Sequence, residues 1–170
     1  MISLDYDALE TIKKRILTIL GAPSLGFVKT YRDRGQIPWE DPDTKVPLLP
    51  ACVFLDGKEK PQESDLGWQG QSRRGQTPEV TIHFEPQIYI VLMPSLTPDN
   101  AGIGEQLSSF RLKIHVALTT DQELMMLLGA NGGITYLGHE TDMQEGGDLR
   151  GVMRLDYRFA YVFLTTTITT

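Results

Sequence analysis

The stretch that decides the fold is Met-Arg-Leu-Asp-Tyr-Arg-Phe-Ala-Tyr-Val-Phe, residues 153–163. Large apolar side chains occupy every second position, and charged or smaller side chains lie between them. Because successive side chains of a β-strand point to opposite faces of its sheet, this alternation predicts a long strand with one buried face. We expect its aromatic row to pack beneath the N-terminal helix.

Two other segments have the periodicity of helices. The N-terminal segment repeats apolar residues three or four positions apart, at Leu9, Ile12, Ile16 and Leu20. This spacing predicts an amphipathic helix over residues 4–20 that is stopped by Gly21. Later in the chain, Thr120 and Glu123 form a capping-box pattern, which predicts a short helix over residues 121–128 with Thr120 as its N-cap.

Shorter apolar runs predict strands over residues 51–55, 79–84, 87–93 and 134–137, and the alternation of residues 26–31 predicts a further short strand. We expect the strand over residues 51–55 to end in a turn at Asp56-Gly57. We expect Pro86 to separate the strand over residues 79–84 from the strand over residues 87–93. The segment His139–Gly147 is polar, and we expect a loop there.

Residues 101–118 fit two structures. A strand is predicted by the alternation of Phe110, Leu112, Ile114, Val116 and Leu118. A helix is predicted by the spacing of Leu107, Phe110, Ile114 and Leu118. The alternation is the stronger pattern by count. The order of elements predicts one α+β domain over residues 1–170, with a mostly antiparallel mixed sheet and helices packed on one face.

Composition favours a globular subunit over a nucleic-acid-binding or membrane protein. The 170 residues fit one domain, and the net charge is −6. Nucleic-acid binding needs surplus Lys and Arg, so the aromatic row is better interpreted as core than as a platform for stacking bases. The longest apolar run, Ile88–Met93, is far shorter than the roughly 20 residues that span a bilayer, and we expect no membrane partner.

Candidate catalytic and metal-binding residues are few. None of the three histidines, His83, His115 and His139, stands in a recognised metal-binding spacing. The single cysteine, Cys52, lies in an apolar run, where burial makes a thiol unreactive. We therefore expect surface histidines, and no catalytic residue, metal or cofactor.

Two extensions indicate assembly instead. Residues 57–78 form a long polar loop whose only large apolar side chains are Leu66 and Trp68, and residues 164–170 are a Thr-rich, β-prone tail. Long loops in compact domains are usually functional, and a free strand can pair with a neighbouring chain. The interface residues that we predict are Trp68, Arg73, Arg74, Thr165, Thr167 and Ile168.

The order of the elements extends this interpretation. It runs from the N-terminal helix through Pro50–Leu55, Thr77–Met93, Arg111-x-x-Ile114-x-x-Ala117-Leu118 and Gly129-Ala130-Asn131-Gly132-Gly133 to the closing aromatic strand. Over nearly the whole chain, this order resembles the tail terminator (tail completion) proteins of tailed bacteriophages. Related head–tail neck subunits share the same likeness.

The resemblance implies a structural virion protein of the tail or neck, assembled in the host cytoplasm and without catalytic residues. It implies a homo-oligomeric ring, usually hexameric, that caps the tail tube protein, ends tail polymerisation and joins the tail to a neck or head-completion protein. An acidic lumen would let DNA pass without sticking. The resemblance also implies that residues 101–118 are helical, and we follow it there.

Alternatives stay open. Another neck subunit or a tail-tube subunit would share the chemistry of assembly, although a tube protein would grow into long polymers. A small enzyme or ligand-binding domain would need an apolar pocket in which His83, His115 or His139 converge. On the assembly interpretation, deletion of residues 62–76 leaves the monomer folded and weakens assembly.

Overall fold

A computed structural model describes residues 8–33, 41–61, 79–92, 101–143 and 151–164. Within them, three α-helices and a five-stranded mixed sheet confirm the predicted α+β class. In chain order the elements are α1 (Ala8–Leu20), a short 3₁₀ helix (Pro23–Leu25), β1 (Lys29–Arg32), β2 (Ala51–Pro61), β3 (Glu79–Val91), α2 (Ala101–Thr120), α3 (Gln122–Leu128), β4 (Gly133–Met143) and β5 (Gly151–Leu164).

The sheet has the strand order β1-β2-β3-β5-β4. β1 is parallel to β2, and the other neighbours are antiparallel. β5 therefore pairs with a strand on each side, so that the segment with the clearest alternation lies inside the sheet. The mostly antiparallel mixed sheet agrees with the prediction.

One face of the sheet carries the hydrophobic core. In β5 the predicted row from Met153 to Tyr161 is buried, and in β3 Phe84, Ile88 and Ile90 are buried beside it. α2 and α3 lie against β5, whereas α1 packs against α3, α2 and β1. The buried residues of α1 belong to the same core cluster as the aromatic row, and α2 and α3 contribute to that cluster as well. The buried residues of α1 include Ile12, Ile16 and Leu20, as its spacing predicts.

β2 is longer than predicted, because its pairing with β3 continues past Asp56-Gly57. Residues 57–61, assigned above to the long loop, are strand, and residues 62–78 lie outside the described residues. The register shifts between Leu55 and Lys58, which forms a bulge. A Cβ on Gly57 would stand 1.6 Å from the Glu85 carbonyl oxygen, so the bulge requires glycine.

The same bulge explains why Pro86 does not interrupt β3. The paired positions on β3 are Glu85 and Gln87, and Pro86 lies between them, opposite the two bulged residues of β2. A proline has no N–H to donate to a sheet, and a bulge is one place where that donor is not needed. The predicted strands 79–84 and 87–93 are therefore one strand.

β4 also runs further than predicted. The segment from His139 to Met143, expected to be loop, remains paired with β5 after a register shift between Tyr136 and Gly138. Gly138 has a φ of 137°, which favours glycine. That one irregular residue breaks the apolar pattern without ending the strand.

α2 settles the ambiguity of residues 101–118 in favour of the helix, and the alternation is misleading.

The predicted N-cap of α3, the helix that follows α2, is wrong by one residue. The cap is Asp121, whose Oδ1 accepts a hydrogen bond of 2.7 Å from the Leu124 N–H. Its carboxylate also accepts two hydrogen bonds from Arg15 of α1, at 3.0 and 2.7 Å. Asp121 therefore joins α1 to the start of α3.

Candidate functional site

The outer side of α2 is unusually apolar. Its inward side buries Ile103, Leu107, Ile114 and Leu118 in the core. On the outward side, Leu112 is 62% exposed and Val116 is 49% exposed, and these two residues are one turn apart. A helix that is apolar on both sides is normally covered on both sides.

α3 adds two flexible apolar side chains. Met125 is 36% exposed and Met126 is 76% exposed. Methionine is unbranched and polarisable, and it adapts to irregular partner surfaces. We call these four residues, Leu112, Val116, Met125 and Met126, the helical apolar surface.

The sheet face opposite the helices has a different chemistry. Glu85 of β3 receives a hydrogen bond of 2.7 Å from Arg158 of β5 and has Lys60 at 3.7 Å. Arg154 binds Glu140 at 2.9 Å and Asp156 at 3.1 Å. Arg158, by its hydrogen bond, lowers the pKa of Glu85. These ion pairs lie within β5 and between neighbouring strands, so the charges of these residues are neutralised within one chain.

A third feature lies where α2 meets β4 and β5. The His115 ring stacks on the ring of Tyr157 with centroids 6.2 Å apart and meets Tyr136 edge-on at 5.7 Å. The Tyr136 hydroxyl is 2.8 Å from Nδ1 of His139. Two of the three histidines thus come together around two tyrosines, and we call these four residues the histidine–tyrosine cluster.

The cluster contains an unpartnered buried hydroxyl. Tyr157 is fully buried, and its hydroxyl makes no hydrogen bond within the described residues. Burial raises the pKa of this hydroxyl, with Tyr136 adding to the rise and the Arg111 charge opposing it. At neutral pH the group is therefore a neutral phenol with a proton to donate.

The remaining candidate residues from the sequence are His83, Cys52 and the predicted interface residues. His83 lies on the opposite sheet face from the cluster, where burial and then Arg158 lower its pKa. Cys52 is fully buried, and burial raises the pKa of its thiol, which confirms the core position predicted for it. The predicted interface residues all lie outside the described residues: Trp68, Arg73, Arg74, Thr165, Thr167 and Ile168.

No family model matches the chain, and no curated protein matches it. In the part of the chain that the structure describes, no helix is both long and apolar enough to cross a membrane. Among the same residues, no three His, Cys, Asp or Glu side chains are grouped so as to hold a metal ion.

Sequence reasoning missed the helical apolar surface, although a signal for it was present. The alternation of residues 110–118 predicts a strand. In the helix, the same alternation places Ile114 and Leu118 inside and Leu112 and Val116 outside. Two competing periodicities in one helical segment indicate two apolar sides.

Proposed function

We propose that this protein is a structural virion subunit that forms a closed ring, caps the tail tube and joins it to the neck. The observation that supports this best is the outer side of α2, where Leu112 and Val116 face outward from a helix whose other side is already packed. Contiguous exposed apolar groups of this kind mark protein–protein contacts. The resemblance of the element order to that of tail terminator proteins gives the contact its proposed context.

The free energy gained by covering this surface is small for one contact and accumulates where the contact is repeated. Complete burial of a Leu or Val side chain is worth about 1.5–3 kcal/mol, and about half of each of these side chains is still exposed. Covering Leu112 and Val116 therefore contributes about 1 kcal/mol each. A ring repeats that contribution at every subunit boundary.

A ring of identical copies uses two different surfaces, one on each side of the subunit. In the proposed assembly the helical apolar surface is one of them. Growth of the tail stops because one end of the ring matches the end of the tube, whereas the other end does not offer the surface of a tube end again. The tube protein, the neck protein and further copies of this chain are the proposed partners, and DNA passes through the lumen.

The proposal is tested by adding the purified protein to its cognate tail tube protein during polymerisation and measuring tube lengths in negative-stain images. We expect shorter tubes with a ring at one end. The Leu112→Glu variant is expected to lose the effect. Gln106→Glu, which adds the same charge at another exposed position of α2, is expected to retain it.

Two results would contradict the proposal. If the protein alone grows into long tubes, it is a tail-tube subunit. If tube lengths are unchanged by wild-type protein at excess over tube ends, it does not terminate tails.

A further inference from the structure

The turn between α3 and β4 contains an asparagine that is followed by a glycine. Of the two asparagines in the chain, Asn131 precedes Gly132, whereas Asn100 precedes Ala101. Asn131 is exposed, and its side-chain amide makes no hydrogen bond within the described residues. Gly132 has no Cβ that would keep the preceding side chain away from its backbone nitrogen. The covalent order of the chain therefore places an unhindered nitrogen next to the Asn131 amide carbon.

We propose that Asn131 is a site of spontaneous modification, at which the side-chain amide becomes a carboxylate through a cyclic imide. The Gly132 backbone nitrogen gives up its proton and forms a bond to the Asn131 Cγ. The bond from Cγ to the side-chain nitrogen breaks, and that nitrogen leaves as ammonia. A reaction between adjacent groups of one chain is favoured because no second molecule has to be brought into place.

Water then opens the imide in either of two ways. Addition of water to Cγ restores the original backbone and leaves an aspartate. Addition to the backbone carbonyl carbon of Asn131 leaves an isoaspartate, in which the backbone runs through the former side chain and is one carbon longer. Both routes consume one water and release one ammonia, so the reaction needs no oxidant, reductant or further reagent.

The fold restrains the attacking nitrogen. The Gly132 N–H donates a hydrogen bond of 3.0 Å to the Gly129 carbonyl oxygen. A Cβ on Gly132 would stand 2.2 Å from the Leu128 carbonyl oxygen and 2.6 Å from that of Ala160, so Gly132 is confined between the end of α3 and β5. The nitrogen has to give up its hydrogen bond and this position before it can attack Cγ. Opening of the turn therefore controls the rate of the modification.

The two products differ in how they fit the turn. An aspartate keeps the backbone and adds a charge at an exposed position. An isoaspartate adds a backbone carbon directly before Gly132, where the carbonyl oxygens of Leu128 and Ala160 leave no spare room. We expect the isoaspartate form to unfold a few degrees below wild type, and Asn131→Asp to unfold with wild type. An isoaspartate form as stable as wild type would overturn this part of the inference.

This inference does not depend on the proposed ring, because Asn131 is not part of the helical apolar surface. Conversion of Asn131 and the solution mass of the protein are separate measurements. Each proposal can therefore fail while the other holds.

The test follows the full-length protein, folded and in guanidinium chloride, in the same mildly alkaline buffer, because the attack requires loss of the Gly132 proton. Trypsin releases residues 114–150, in which Asn131 is the only asparagine, and residues 75–111, which contain Asn100. Mass spectrometry measures the acid in each peptide, and an isoaspartate-specific methyltransferase measures isoaspartate. A sample taken at time zero corrects for conversion during digestion.

We expect Asn131 to be converted in both states, about ten-fold or more slowly in the folded protein, because only the open turn reacts. Asn100 is the internal control, and little conversion is expected there, since the following Ala101 carries a Cβ. Asn131→Gln is the matched variant. It keeps the amide on a longer side chain that closes the ring much less readily, so we expect almost no acid at this position.

Three results would overturn the inference. If Asn131 stays an amide in guanidinium chloride, it is not a modification site. If Asn100 and Asn131 are converted equally in the unfolded chain, Gly132 has no part in the reaction. If Asn131 is converted equally fast in the folded and the unfolded protein, the turn does not control the rate.

Discussion

At the residue scale, Asp121 has two functions in one carboxylate. It caps α3 through the Leu124 N–H, and it pairs with Arg15 of α1 through two hydrogen bonds. Loss of a helix N-cap usually costs about 1 kcal/mol. We expect Asp121→Ala to lower the free energy of unfolding by about 1–2 kcal/mol.

Urea unfolding at neutral pH measures this change, and Asp121→Ser is the matched comparison. Serine restores the cap but not the ion pair with Arg15. We expect its stability to lie between those of wild type and Asp121→Ala. Equal stability of all three proteins would show that neither function of the carboxylate matters to folding.

The same carboxylate predicts a dependence on pH. The hydrogen bond from Arg15 lowers the pKa of Asp121 in the folded protein. A lowered folded-state pKa contributes stability above the unfolded-state value, about 3.9 for an aspartate. That contribution is lost as the pH falls through the folded-state pKa.

We therefore expect wild-type protein to lose more stability than Asp121→Ser between pH 7 and about pH 3, in urea titrations at several pH values. The other acids with lowered pKa values, among them Glu85 and Asp56, are common to both proteins and cancel in the comparison. Parallel pH profiles would contradict the role given to Asp121.

At the element scale, two glycines allow opposite predictions from the same substitution. A Cβ on Gly57 would stand 1.6 Å from the Glu85 carbonyl oxygen, whereas a Cβ on Gly104 of α2 meets nothing within 4 Å. We expect Gly57→Ala to destabilise the fold by about 1–3 kcal/mol, because the bulge between β2 and β3 has to open. Gly104→Ala is expected to stabilise it by up to about 1 kcal/mol, as alanine favours helix.

Thermal unfolding of the two variants beside wild type checks both signs. A neutral Gly57→Ala would mean that β2 and β3 are not held together at this bulge. A destabilised Gly104→Ala would mean that this side of α2 is covered in solution.

Elements with one clear period were predictable from the sequence. The alternation from Met153 to Tyr161 and the helical spacing of α1 each follow from a single buried face, and both elements are present. The errors occur at irregularities that a local pattern does not contain. Gly57 and Gly138 mark bulges that a pattern of hydrophobicity interprets as strand ends, because pairing with the neighbouring strand is what continues the strand.

The candidate sites were less predictable than the fold. His115 and Tyr157 lie 42 positions apart in the sequence, and only the packing of α2 on β5 brings their rings together. The outward position of Leu112 and Val116 depends on which side of α2 faces the sheet. Both features arise from tertiary contacts, whereas the periodicity of a segment reports only its own secondary structure.

At the scale of the whole molecule, the structure has three surfaces of different character. The sheet face opposite the helices carries ion pairs within the chain, and the histidine–tyrosine cluster runs from buried Tyr157 to exposed His139. The helical apolar surface exposes Leu112 and Val116 of α2 and Met125 and Met126 of α3. Association through this surface is the central claim of the proposed function.

The deletion of residues 62–76 stays a prediction at this scale. The segment lies outside the described residues, between β2 and β3 in the sequence. The pairing of these two strands continues as far as Pro61 and Ile82. We expect a variant with a short Gly-Ser linker in its place to keep the far-UV circular dichroism of wild type. Its mass in light scattering is expected to be lower than that of wild type, because fewer chains associate. An unfolded variant would contradict the role in assembly given to this segment.

The most direct test of the central claim is the solution mass of three proteins, wild type, Leu112→Glu and Gln106→Glu, by light scattering over a concentration series. We expect wild type and Gln106→Glu to form one closed species of about six chains, each of 19.0 kDa. We expect Leu112→Glu to be a folded monomer of 19.0 kDa with the circular dichroism of wild type. A wild-type protein that stays monomeric at every concentration, or a Leu112→Glu variant that keeps the mass of the ring, would contradict the claim that α2 joins the subunits.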